Sequence, residues 1–210
     1  MKLTHTCLLA LAGVTLASAA QADTIYSEGF EDLANSGWIL TNNSSPAGTS
    51  WLQGANEIFT AQAGGENSYA LANYLSANGS GSISNWLISP EITLAAGSTL
   101  SFYARTEDTA GYQDAFNVYF SAGSASTTSS FTALATAVTA QNGWTLYTFA
   151  LPDAATGRIA FEYSVANADN ANVLGIDSVQ ISAVPEPSTY GLMALGLVGM
   201  AALRRRRSAE

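Results

Sequence analysis

The chain has 210 residues, with seven Lys or Arg against sixteen Asp or Glu and a formal net charge of −9. That balance opposes binding to nucleic acid or anionic membrane surfaces, which need cationic contacts. Its one histidine and one cysteine are His5 and Cys7; beyond them the chain cannot hold a Ser-His-Asp or Cys-His site, a disulfide, or a zinc or copper site of nitrogen and sulfur ligands.

Residues 1–22 carry a basic start (Lys2), an apolar stretch from Cys7 to Leu16, and Ala20-Gln21-Ala22 ahead of Asp23. This is the pattern of a secretory signal peptide with its cleavage site, and it removes both His5 and Cys7. Residues 23–183 form a single domain by length. There two arginines, Arg105 and Arg158, face fourteen carboxylates, which leaves −12. Two readings of that acidity stand side by side: solubility of an exported protein, or carboxylates that bind a divalent cation.

Helical periodicity is nearly absent from 23–183, and short β-branched and aromatic runs alternate with Gly, Asn, Ser and Asp clusters. Strands are expected at 84–90, 91–94, 99–104, 116–121, 145–149, 158–163 and 176–181. Loops are expected at 42–50, 63–67 and 121–130. Many short strands with frequent turns predict an all-β sandwich. Trp86 and Trp144 lie inside strand-like runs and are expected in the core. Trp51, among Gly, Ser and Asn, is the candidate for a surface platform that stacks on sugar rings. One of the two arginines is expected to pair with an acid such as Glu107 or Glu162.

Residues 184–210 close the chain with Val184-Pro185-Glu186-Pro187, an uncharged apolar stretch from Tyr190 to Leu203, and Arg204-Arg205-Arg206-Arg207. Fourteen helical residues would cover ~21 Å, short of a ~30 Å bilayer core. The Arg run holds its end of such a span in the cytoplasm. The three parts in this order resemble the PEP-CTERM sorting signal. The resemblance implies an exosortase-type membrane transpeptidase acting near Val184–Pro187, transient insertion in the inner membrane, and delivery to the cell surface or extracellular matrix of an exopolysaccharide-making bacterium.

The body carries an ordered set of short motifs: Glu28-Gly29-Phe30-Glu31, Gly37-Trp38, Asn85-Trp86-Leu87-Ile88-Ser89-Pro90, Leu100 to Arg105, Asp114 to Ser121, Gly143-Trp144, and Ile176-Asp177-Ser178-Val179. That order resembles the cleaved-adhesin or choice-of-anchor J domain, similar to MAM domains and to carbohydrate-binding jelly rolls. The resemblance implies a jelly-roll sandwich of two antiparallel sheets, in which domains of this type often hold a structural Ca²⁺. The acids expected to hold it are Glu28 near the start of the first strand, Asp114 before a central strand and Asp177 in the last, with Glu31 as a substitute. In strict alternation Asp177 would share a face with Val179 and be partly buried, which is costly for an unpartnered acid.

The function expected from these features is non-enzymatic: an exported, C-terminally sorted protein in adhesion or associated with extracellular polysaccharide. The alternative is a carbohydrate-active enzyme, with Glu162 and Asp114 as its carboxylate pair.

Overall fold

In Ser98–Arg105 every second side chain is buried and the rest are half-buried, the period-2 signature of a strand with one face in a core. A computed structural model describes residues 22–107, 109–112, 114–183 and most positions between 191 and 200. In chain order the strands are β1 (Asp23–Glu28), β2 (Ile39–Asn42), β3 (Ser45–Ala47), β4 (Leu52–Gln53), β5 (Ala70–Asn73), β6 (Ala77–Ile88), β7 (Ile92–Thr93), β8 (Ser98–Arg105), β9 (Ala115–Ala122), β10 (Thr132–Thr139), β11 (Thr145–Ala150), β12 (Thr156–Val165) and β13 (Val173–Ala183).

Two sheets result. One runs β11-β8-β13-β5-β4, with β1 also on β13; the other runs β10-β9-β12-β6-β2, with β3 on β6 and β7 on β12. The strand pairs within both are antiparallel, as in β12 against β6 and β9 and in β13 against β8. The first sheet contributes Leu100, Phe102, Leu174, Ile176, Val179 and Ile181 to the core between the sheets. The second contributes Leu87, Phe116, Val118, Ile159, Phe161 and Tyr163. Phe102 and Phe161 meet edge to face across the layers at 4.6 Å. Each such buried aromatic stabilises the fold by about 1.5–3 kcal/mol.

β10 and β2 to β5 go beyond the expected strands, and β3 interrupts the expected loop at 42–50. β10 is built from Thr and Ala with little apolar bulk, so it is defined by its pairing with β9 more than by its own pattern. Its register slips twice, and Ala137, at φ +51°, donates its N–H to Asn117 Oδ1 at 2.7 Å.

The alternation of β13 also breaks. Leu174 and Ile176 point into the core, and so do Val179 and Ile181. The even-to-odd change is absorbed by a bulge between Asp177 and Gln180, with Ser178 at φ +50°. Asp177 therefore faces away from the core, on the side of Val173, which packs with Phe59, Tyr69 and Leu71. It is buried, as the sequence suggested, but under the 54–68 segment and not beside Val179. Gly175 makes room for that segment, because a Cβ there would stand 2.8 Å from the Phe59 ring.

The expected signal peptide through Gln21, the Val184–Pro187 motif and Arg204–Arg207 lie outside the described residues. The described positions from 191 to 200 are helical. Among the described residues no helix is long and apolar enough to cross a membrane.

Candidate functional site

Four connections meet at one end of the sandwich: β5 to β6, β8 to β9, β10 to β11, and β12 to β13. A buried carboxylate organises them. Asp114, at the entry to β9, accepts hydrogen bonds from the Tyr163 hydroxyl and from Asn172 N–H at 2.9 Å. The Thr106 hydroxyl lies 2.7 Å from Asp114 Oδ2 and 2.7 Å from the Val173 carbonyl. Burial, then the Asp114 charge, pushes the Tyr163 phenol well up, so it stays a donor. This network joins β8, β9, β12 and the start of β13 at one buried point.

The network sets the wall above it. Asn172 accepts Tyr74 N–H at 3.0 Å on its carbonyl and donates its amide to Thr109 Oγ1 at 3.3 Å. Tyr74 opens the 3₁₀ turn Tyr74–Ser76, capped by the Asn73 side chain, which accepts from Leu75 N–H. Tyr112 closes a turn by donating its N–H to the Thr109 carbonyl at 3.1 Å, next to Gly111 at φ +96°, a conformation glycine adopts without strain. Tyr74 is 51% exposed and Tyr112 44%. They are the exposed aromatic residues among the described residues of the body.

The two rings flank a cleft of about 270 Å³ whose other walls are Ala168, Asp169, Ala171 and Asn172. A second cleft, of about 340 Å³, continues from Tyr112 past Thr109, Thr106 and Glu107 to Gln141 and Asn142. Asp169 is fixed by the Ser80 hydroxyl, which donates to its Oδ1 at 3.0 Å. Aromatic faces beside amides, hydroxyls and carboxylates in an open groove are the chemistry that holds a polyhydroxylated ring. Sequence reasoning missed Tyr74, Tyr112, Asp169 and Asn172. A Tyr after Thr-Ala-Gly between two strand-like runs was the available signal for Tyr112.

The expected metal ligands do not converge. Glu28 is the last residue of β1, not near its start; it pairs with Val179, and its carboxylate accepts Phe30 N–H at 2.7 Å. Asp177 accepts Gln62 N–H at 2.7 Å and Ala63 N–H at 3.2 Å on Oδ2, and Ser178 N–H on Oδ1. Asp114 belongs to the Tyr163 network at the loop end. Among the described residues no three acid, His or Cys side chains are grouped to hold a metal ion. Burial raises the Asp177 carboxyl to about 6. It also raises Glu28, with the Glu31 charge adding to the shift.

Trp51 is not a surface platform. It is 2% exposed in the main core and donates its indole N–H to the Asn85 carbonyl at 3.0 Å. Trp86 is buried, though on the outer side of its sheet with Ile88 and Ala160. Trp144 is half-buried against Phe59 and Tyr69. The expected arginine–acid pairing gives way to other partners. Arg158 donates to the Ser124 and Ser89 carbonyls, and the Arg105 guanidinium lies 4.2 Å from the Phe59 ring centre. The carboxylate pair of the enzyme alternative is split. Tyr163, which holds Asp114, points into the core, while its neighbour Glu162 points to the opposite face of β12, accepting from Ser84, Asn117 and Tyr119.

The Cleaved Adhesin Domain model matches residues 23–181, and the PEP-CTERM protein-sorting motif matches residues 183–207. The fold is similar to that of the K1 cleaved adhesin domain of Lys-gingipain from Porphyromonas gingivalis W83. The two share 24% identity at a TM-score of 0.63 over 76% of this chain and 98% of that one. The K3 cleaved adhesin domain of the same protein gives 23% identity and a TM-score of 0.58 over 78% and 99%. None of the curated proteins compared with the chain matches it.

Proposed function

Since this chain belongs to the cleaved adhesin domain family and ends in a PEP-CTERM protein-sorting motif, we propose that it is an exported, surface-sorted adhesin whose loop-end groove binds carbohydrate without catalysis. The signal peptide at 1–22 directs export and is removed. Residues 190–203 and Arg204–Arg207 hold the C-terminus in the inner membrane for a time. An exosortase-type enzyme then acts near Val184–Pro187 and passes the body to the cell surface or the extracellular polysaccharide. Intact-mass analysis of surface material should show loss of residues after the motif; a surface protein with the Arg run attached overturns this route.

The observation that supports carbohydrate binding is the pair of exposed tyrosines, Tyr74 and Tyr112, on either side of a polar cleft. A glycan array probed with the full-length protein in detergent tests it. Binding that is lost in Tyr112→Ala supports the groove; an array without signal removes carbohydrate binding and leaves a structural matrix role. The non-catalytic reading is supported by the opposed orientations of Glu162 and Asp114.

A structural Ca²⁺ is a separable part of this proposal, and Asp114 has no part in it. Glu28 pairs with Val179, two residues along β13 from Asp177, and burial desolvates both carboxyls. A hard cation with oxygen ligands offsets that desolvation, and a carboxylate that accepts N–H donors keeps lone pairs for it. Added Ca²⁺ should raise the melting temperature and chelator should lower it; no shift removes the ion and leaves the groove untouched.

A further inference from the structure

The groove has a charge as well as a shape. Asp169 lines the first cleft and Glu107 the second, and Tyr112 is common to both. No cation stands among the described residues that line either cleft. The two arginines of the body are committed elsewhere. Arg158 spends Nε and Nη1 on backbone carbonyls. Arg105 is held over Phe59 at 4.2 Å and Trp144 at 5.8 Å. A uronic acid or a sulfated sugar laid along Tyr74 and Tyr112 would therefore meet Asp169 with no cation in the cleft lining beside it, and only Glu107, in the second cleft, feels the charge of Arg105. A sugar bearing a protonated amine would meet a carboxylate at each step, and tyrosine faces that attract cations.

We propose that the groove selects a de-N-acetylated amino-sugar polymer, with Asp169 as the residue that reads the ammonium group. This rests on the reading that the groove binds carbohydrate. Because Tyr112 is shared by two consecutive clefts, the ligand is an oligomer and not a single sugar. The tyrosines supply stacking for any hexose ring, and the acids supply the choice among rings. An ammonium beside an exposed carboxylate and a tyrosine face is worth roughly a tenfold preference.

The test is calorimetric titration of the full-length protein in detergent, at mildly acidic pH where the sugar amine is protonated. The probes are hexamers of glucosamine, N-acetylglucosamine and galacturonic acid. The glucosamine hexamer should bind about tenfold tighter than its N-acetylated form, the galacturonate hexamer should not bind, and the preference should shrink as salt screens the charges. Asp169→Asn should bring the two amino-sugar hexamers to near equality while leaving the N-acetylated affinity in place. Equal or tighter binding of the N-acetylated hexamer, or an unchanged ratio in Asp169→Asn, overturns the selectivity and leaves carbohydrate binding standing. Failure of these hexamers and of a neutral-glycan array together overturns both.

Discussion

Two places on this sandwich combine aromatic rings with a carboxylate, and they behave in opposite ways. On the outer face of the second sheet, Trp86 stacks on Tyr119 at 4.5 Å and meets Phe131 at 6.0 Å. Glu162 beside them is buried, with donors from Ser84, Asn117 and Tyr119. At the loop end, Tyr74 and Tyr112 stand open to water, and Asp169 gives only one of its oxygens to a protein donor. Composition does not separate the two. Access and hydrogen-bond saturation do: the sheet-face cluster has used its donors and ring faces on itself, so it supports the fold, while the loop-end groove has kept them free.

That contrast can be broken by substitution. Trp86→Ala should have the largest effect on stability, about 3–5 kcal/mol in denaturant unfolding, with no direct effect on glycan affinity. Asp114→Ala follows at about 2–4 kcal/mol, since Tyr163, Thr106 and the Asn172 N–H lose their acceptor. It should also weaken glycan binding, because Asn172 and Tyr74 depend on that network. A melt series in chelator should show stability falling as pH rises from about 4 to about 6, by about 1 kcal/mol. The sign follows from Asp177, whose carboxyl is raised by burial to about 6 in the folded chain. Through that window the native state keeps a proton that the unfolded chain has released. Tyr112→Ala should be the mildest, within about 0.5 kcal/mol of wild type in stability, yet it should remove glycan binding. A large stability loss in Tyr112→Ala would mean that the exposed ring is structural, and the contrast would fail.

Much of the architecture was legible because one-sided burial writes period 2 into a strand. Leu100, Phe102 and Ala104 on β8, and Ile159, Phe161 and Tyr163 on β12, announce their inward face. The site was less legible. Trp51 sits in a Gly- and Ser-rich stretch that reads as surface, but its ring fills the core because the chain folds back and places the Asn85 carbonyl within reach of the indole N–H. Simple alternation puts Asp177 on the face of Val179, partly buried; the bulge at Ser178 reverses its side, and the overlying segment at Gln62 and Ala63 covers it. Asp114 and Glu162 looked like a pair until strand geometry turned them to opposite faces.

By itself, the sequence determined what this protein can be made of and where it is sent. Alternating apolar runs give a two-sheet sandwich, and a body with no lysine, histidine or cysteine carries no amine, imidazole or thiol chemistry. The ordered motif, apolar stretch and Arg run at the C-terminus mark it for sorting. The tertiary structure alone decided which aromatic rings and acids remain available. Exposure and hydrogen-bond partners arise from contacts between residues distant in the chain, such as Asp114 with Tyr163 and Asn172, and no local pattern encodes them.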